Sequence, residues 1–436
     1  MPPGGPGKMR TMTATPQAAR RWPNGLRALA HRNFRLYFAG QAISILGSWI
    51  QQVALAWLVY RLTGSAALLG VTAFCGLIPQ LLVGPFAGAW IDKHDKKSWL
   101  IGVQSAMALQ ALVLAGLTWS GLINPPLIIA MALLLGVLSS FDAPLRQSLI
   151  GAFVARRDDL PNALALNAML FNAGRFVGPP VAGLLLGLTS EAACFALNAL
   201  SFLALIVAIL VVRVVPPPRA SGSVAEVFRE GLFYAWRTWT VKTLILTLVA
   251  LNLTASAYAV LLPVFAADVF HGDATTLGWL WGAAGCGAFA STIVLATRKA
   301  LPAVVGAVVA GTAIAAFSLL LFAASDWLAL ALLGMFGVGF GISVCNVGIN
   351  MLLQSAAPEA LRGRIVSFFT SARFGFDALG GLLAGFLASR YGAAPTLIGE
   401  GLVLLLFVIF LFGRRRRLLS QVTATAAGTT SHPPAG

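Results

Sequence analysis

Two arginines occupy stretches of this chain where charge is costly. Arg175 lies in Phe171–Gly187, FNAGRFVGPPVAGLLLG, and Arg373 lies 198 residues later in Thr370–Gly385, TSARFGFDALGGLLAG. Aligned on Arg-Phe, Arg175–Gly187 and Arg373–Gly385 agree at six of thirteen positions. Each copy sits in an apolar run long enough to cross a bilayer, and an ionisable residue at that depth marks a pathway or a gate. Acids share the setting. Asp142 and Arg146 stand at i, i+4 and can pair along one helix. Asp377 follows Arg373 by four residues, and Glu400 lies in the next apolar run. Desolvation favours a protonated acid, whereas a neighbouring arginine favours the ionised one. Asp377, with Arg373, is therefore read either as a proton carrier or as a structural partner, and Glu400 is a second proton candidate.

Other chemistries are poorly served. No Ser/His/Asp or metal-ligand set falls at membrane depth, and no Gly-Lys-Ser/Thr phosphate cradle occurs, so neither an enzyme nor a nucleotide-driven pump is expected. Cys75, Cys194, Cys286 and Cys345 lie in apolar runs without C-x-x-C spacing and read as small buried side chains. His31, His94, His271 and His432 are scattered over tails and loops. No metal and no cofactor is expected, and a proton gradient is the expected driving force.

The elements that must hold these groups are membrane helices. Of 436 residues, 58% are hydrophobic and only 10% charged, against about 25% charged in soluble domains. Apolar runs of bilayer-spanning length fall at about 34–60, 66–91, 99–120, 126–148, 162–188, 193–214, 241–267, 276–297, 302–324, 327–353, 365–389 and 395–412. The fold class expected is an all-α membrane protein with twelve transmembrane helices in two pseudo-symmetric six-helix halves. The domain reading is a tail over 1–33, halves over 34–214 and 241–413, a cytoplasmic linker over 215–240 and a tail over 414–436. Within the linker, Pro216–Pro218 break the helix. Val224–Trp239 could form an amphipathic helix with Phe228, Leu232, Phe233 and Trp236 on one side. The last twenty or so residues read as disordered. The first 33 residues are basic and polar and lack the apolar core of a signal peptide.

The net charge of +16 is an orientation signal. With the N-terminus inside, all basic residues but Arg61, Arg390, Arg175 and Arg373 fall in inner loops, tails or helix ends. That is the positive-inside bias, and it places both termini in the cytoplasm. Nucleic acid is not an expected partner; lipid, protons and a small molecule are.

Several motifs add a family resemblance. Between spans two and three runs Gly84-Pro-Phe-Ala-Gly88-Ala-Trp-Ile-Asp92-Lys93-His94-Asp95-Lys96-Lys97. Gly84 and Gly88 permit close backbone approach, and Asp92 can pair with a cation or face the positive end of a helix. The pattern resembles the signature loop of the major facilitator superfamily. Gly88, Asp92, Lys93, Lys96 and Lys97 occupy the family positions, and Asp95 stands where many members carry Gly. Phe141-Asp-Ala-Pro144-Leu-Arg146-Gln147, Asp158-Asp-Leu-Pro-Asn-Ala163, Asn33-Phe-Arg-Leu-Tyr-Phe38 and Trp57-Leu-Val-Tyr60 are similar to the branch that includes enterobactin exporters. Gly174-x-x-x-Gly178-Pro179-x-x-x-Gly183 resembles the antiporter motif of exporting members, with Ala182 in place of one glycine.

Polar stripes complete the reading. Gln41, Ser44, Ser48, Gln51 and Gln52 share one helix face, and three glutamines against lipid are unfavourable. Helix-to-helix hydrogen bonding and a cavity wall are both open readings. Asn252, Ser256 and Tyr258 in span seven, and Asn346, Asn350 and Gln354 in span ten, are similar stripes. The resemblance implies that spans one, four, seven and ten line the cavity. It also implies an inner-membrane exporter of a small amphipathic compound such as a siderophore or drug, driven by proton antiport and working as a monomer. Uptake or facilitated diffusion is the alternative. Arg175, Asp142, Arg146 and Asp92 are expected to form one inner-gate network.

Overall fold

The computed structural model describes residues 23–212, 238–298, 300–356 and 359–429. Among these, ten helices are long and apolar enough to cross a membrane. In chain order the helices are α1 (Arg32–Thr63), α2 (Ala66–Leu82), α3 (Gly84–Lys93), α4 (Lys96–Trp119), α5 (Pro125–Phe153), α6 (Leu160–Leu188) and α7 (Glu191–Val211). After the linker come α8 (Trp239–Leu253), α9 (Tyr258–Val264), α10 (Ala274–Ala296), α11 (Leu301–Ala323), α12 (Leu328–Ala356), α13 (Glu359–Tyr391) and α14 (Ala393–Thr429). Most of the expected linker helix lies outside the described residues.

Local sequence sets the ends of these rods. Gly64 takes a left-handed φ of 58° as α1 stops, and Ser65 then caps α2 by accepting from the Leu68 amide. Asn124, Ser190 and Asp273 cap α5, α7 and α10 in the same way, each satisfying an amide that the first turn leaves open. Asp95 caps α4 through Ser98, whose hydrogen bonds hold the Asp95 carboxyl below its ordinary range. Its φ of −69° needs no glycine, which explains how an aspartate fits there.

Three boundaries differ from expectation. The run over 66–91 is divided at Val83, where Gly84 and the amide-less Pro85 open a new helix. The run over 241–267 breaks after Leu253: Asn252 and Thr254 turn their side chains back onto the Leu248 and Ala250 carbonyls. A 3₁₀ turn, α9 and a π-helical turn over Phe265–Val269 then follow. Finally, the last helix does not stop with the apolar run at about 412 but continues as α14 to Thr429, into the stretch read as a tail. Leu418 and Val422, one turn apart, are buried, Arg417 stacks on the Trp239 ring at 4.4 Å, and Gln421 accepts from Thr240 at 2.8 Å.

Taken together, α1 to α7 pack mostly on one another, as do α8 to α14; the exceptions are α2 and α6, whose main partners are α13 and α10, and these two seams are the largest between the two sets. Apolar side chains such as Leu203, Val207, Leu406 and Ile409 project outward, as a lipid-facing surface requires. Two hydrophobic cores divide the interior. One, around Phe34, Leu100, Leu149, Phe153 and Phe202, belongs to the first set alone, at the end holding Lys97 and Asp159. The other runs without interruption from Leu58, Leu69 and Phe195 into Leu261, Leu277 and Phe322 of the second set. The sets are thus fused at the end where α1 and α7 carry Arg61 and Glu191, the far end. At the opposite, basic end the first set keeps a core of its own.

Candidate functional site

Glycine makes the fusion possible. A Cβ at Gly183 on α6 would lie 2.7 Å from the Ala274 carbonyl oxygen, and one at Gly278 on α10 would lie 2.9 Å from that of Pro179. On the second seam, a Cβ at Gly385 of α13 would lie 2.6 Å from the Ala66 oxygen. The sequence repeat therefore has a structural meaning: the small residues after Arg175 and after Arg373 each form a backbone-to-backbone seam with the other set. Gly174 and Gly178 face α1 instead, against Ile45 and Trp49. The helix holding Pro179 stays continuous. A polar latch closes the same end, where the Tyr60 hydroxyl donates to Asp268 across the two sets. Beside it Arg61 pairs with Glu191 at 2.6 Å.

Tyr60→Phe removes that latch and nothing else. Losing one such hydrogen bond is worth about 0.5–1.5 kcal/mol, so the open-to-closed ratio of this end should rise about 2- to 10-fold. Thiol labelling of an Ala274→Cys probe, in a background lacking the four native cysteines, would read it; unchanged labelling removes the latch from the closing mechanism.

Between the seams the two arginines come within electrostatic reach of one another. Arg175 lines a pocket with Tyr258, Trp281, Gly285 and Ile342. The charges of Arg175, Arg373 and Asp377 act on one another, and Ser256, just past the break in span seven, faces the Asp377 carboxylate. Gly380 makes this approach close: its Cβ would stand 2.6 Å from the Leu253 oxygen at the break. Trp49 meets Trp281 edge-on at 5.6 Å, and Tyr258 lies 6.5 Å from the same indole. Several polar atoms here are buried without a partner: Arg373 Nε, Asp377 Oδ1 and Trp281 Nε1. The sequence does not single out Trp49 and Trp281, because aromatic character alone does not separate a pocket wall from core.

The expected single gate network is divided. Asp142 pairs with Arg146 at 2.7 Å and accepts from Gln104, while Arg146 also donates to Gln41. This cluster ties α1, α4 and α5 together near the basic end, and Arg175 lies in the central pocket, about two helix turns before Gly183 of its seam. The reason is helix phase: Arg175 shares a face of α6 with the groups that meet α10, away from α5. Asp92 and Gly88 fall within α3, where their surroundings lie outside the described residues. Lys97 donates to the carbonyls of Leu210 and Val212 at 3.2 and 2.6 Å, a cation on the open end of α7. Lys93 is exposed and Lys96 half-buried.

The cavity stripe is divided as well. Gln51 donates to Gln110 at 3.2 Å and accepts from Asn198 at 2.7 Å, so it brackets α1, α4 and α7. Gln41 is likewise buried against Arg146. Ser48 and Gln52 are exposed on α1. Asn252 turns onto its own helix, Tyr258 reaches the pocket, Asn346 is buried with Oδ1 unpartnered, and Asn350 accepts from Gln354 at 3.0 Å. Glu400 is buried on α14 with Oε2 unpartnered, and its electrostatic surroundings include neither Asp377 nor Arg373.

Two helical sets that meet at glycine seams around a polar centre describe a multi-pass membrane transporter. Residues 24–434 match the transmembrane secretion effector family, and the chain belongs to it, within the efflux and siderophore branch of the major facilitator superfamily. Its members are transporters and not enzymes. The multidrug efflux pump Tap of Mycolicibacterium fortuitum is 30% identical, covering 86% of this chain and 93% of its own. The staphyloferrin A transporter of Staphylococcus aureus is 25% identical, covering 88% and 97%. The enterobactin exporter EntS of Shigella boydii is 27% identical, covering 91% and 96%. Among solved structures, a bacterial homologue of the lysosomal transporter Spinster, inward-facing and occupied, aligns at a TM-score of 0.70 and 12% identity, covering 90% of this chain and 98% of its own. The nucleoside transporter NupG aligns at 0.63 and 14%, covering 92% and 99%.

Proposed function

We propose that the chain is a proton-coupled exporter of a small amphipathic compound such as a siderophore or drug. It works in a bacterial inner membrane with both termini cytoplasmic, as a monomer and without a cofactor. The broken runs count as single spans in this reading, giving twelve in two halves over 34–214 and 241–413 that rock about the central site. The observation that carries it is the asymmetry of closure: glycine seams and the Tyr60–Asp268 latch hold the far end, while the two cores part toward the basic end. If the basic end is cytoplasmic, this is the state that loads cargo from inside. The relatives' roles in siderophore and drug export support the direction. Asp377, beside Arg373 at the centre, is the first candidate to carry the proton, with Glu400 second.

Everted vesicles with an acid interior test this directly. Siderophores, macrolides and cationic dyes should each be offered while a fluorescent dye follows proton release. Compound-dependent release above empty vesicles is expected, with at least a tenfold loss in Asp377→Asn at equal membrane levels. Uptake of compound without proton release would leave export standing and remove the coupling. Full coupling in Asp377→Asn would move the proton to another acid.

A further inference from the structure

We propose that the central site is built for an organic anion, whose acidic group is held between Arg175 and Arg373. The inference rests on the reading of this chain as a carrier of small compounds and narrows it to a class of cargo. Charge balance is the first argument. Two guanidiniums and one carboxylate, Asp377, share the centre, and arginine does not give up its proton to relieve the excess. The groups around them, Ser256, Tyr258 and Trp281, are neutral. The site's own side chains therefore carry a net positive charge that no described side chain cancels.

Unused donors are the second argument. Arg373 Nε and Trp281 Nε1 are both shielded from solvent and without an acceptor. Trp281 is only 8% exposed and lines the pocket beside Arg175. Buried donors left unpaired are rare, and each costs about 1–3 kcal/mol. Asp377 does not take them up, since its own Oδ1 is unpaired. A carboxylate, or a similar planar oxyanion, supplies the negative charge and the acceptors together, in the geometry that a guanidinium fork prefers. A cation would add to the excess, and a neutral apolar drug would leave the donors buried and unsatisfied.

Placement gives the third argument. Arg175 and Arg373 occupy equivalent positions of the repeat, one on each seam helix, so a single anion can be touched by both sets at once. Their mutual repulsion opposes approach of the two sets, and an anion between them relieves it. Trp49, Tyr258 and Trp281 offer flat apolar faces for the organic remainder.

The test compares charge on one scaffold. Equilibrium dialysis of the purified full-length protein would use 2-naphthoate, its methyl ester and the matching naphthyl trimethylammonium cation. Naphthoate should bind at least tenfold more tightly than either of the others. Arg175→Gln and Arg373→Gln should each erase that preference, and Arg373→Lys should keep part of it. The wild-type comparison stands even if a variant misfolds. Naphthoate that binds no better than the ester, or not at all, overturns the assignment. Efflux from loaded vesicles is read separately. Tight naphthoate binding without efflux retains the anion site and removes the export reading, while efflux of the cation with no naphthoate binding does the reverse.

Discussion

A Gly183→Val variant should reach the membrane at normal levels and transport at less than about a tenth of the wild-type rate, because its far end cannot close. The new side chain meets backbone, the Ala274 oxygen at 2.7 Å and the Gly278 Cα at 2.8 Å, and backbone cannot rotate aside. The seam must part by several tenths of an ångström or more. Overpacking of this kind costs about 1–3 kcal/mol, a shift of about 5- to 150-fold between closed and open states. In the proposed cycle the opposite state holds these helices apart, so the variant should fold and melt normally while trapped in that state. Labelling of Ala274→Cys should rise accordingly. Gly385→Val, on the second seam, should behave the same way, whereas Gly399, with nothing within 4 Å of its Cβ position, should accept alanine silently. Normal transport by Gly183→Val with a protected Ala274→Cys would show that the seam does not move.

The repeat around Arg175 and Arg373 was visible in the sequence because small residues and buried charge leave a pattern. So were the helices, whose apolar runs and caps are written locally. What the sequence could not place was helix phase between distant segments. Gln51 reads equally well as cavity wall or as bracket, and only the positions of Gln110 and Asn198, 59 and 147 residues away, decide for the bracket. The nearness of Asp142 and Arg175 in chain order likewise predicted a pairing that the rotation of α6 prevents. The break after Leu253 was hidden for a different reason. Asn, Thr and Ser are tolerated in membrane helices, and whether they unwind one depends on a neighbour such as Gly380 approaching the freed carbonyls.

An anionic cargo would also change the energetics of export. Moving one elementary charge through 100 mV is worth about 2.3 kcal/mol, and a negative cytoplasm drives an anion outward. Each negative charge on the cargo would then contribute about 40- to 50-fold to the gradient sustained, before any proton is exchanged. A proton on Asp377 and an anion between the arginines would favour one another electrostatically, which opposes strict exchange. Antiport therefore requires the proton to bind after the cargo has left, in the state with the far end open. In that state the parted seams would hold Arg175 away from Asp377 and weaken its hold on the carboxylate.

The second large effect is one of stability. Arg146→Met should destabilise the protein by about 3–5 kcal/mol, because it leaves Asp142 buried with Gln104 and without its cation. It also strands the Gln41 oxygen, whose amide nitrogen is already unpartnered. Melting of the purified protein at a fixed scan rate should fall by about 3–5 °C. Removing both charges at once, Asp142→Leu with Arg146→Met, should recover most of the loss, since two buried charges cost desolvation that an apolar pair avoids. The exchange Asp142→Arg with Arg175→Asp should not rescue transport, as it puts an arginine beside Arg146 and an acid into the central pocket. Rescue by that exchange would mean that the two residues meet in another state of the cycle. Wild-type melting of Arg146→Met would mean that the pair does not hold α1, α4 and α5 together.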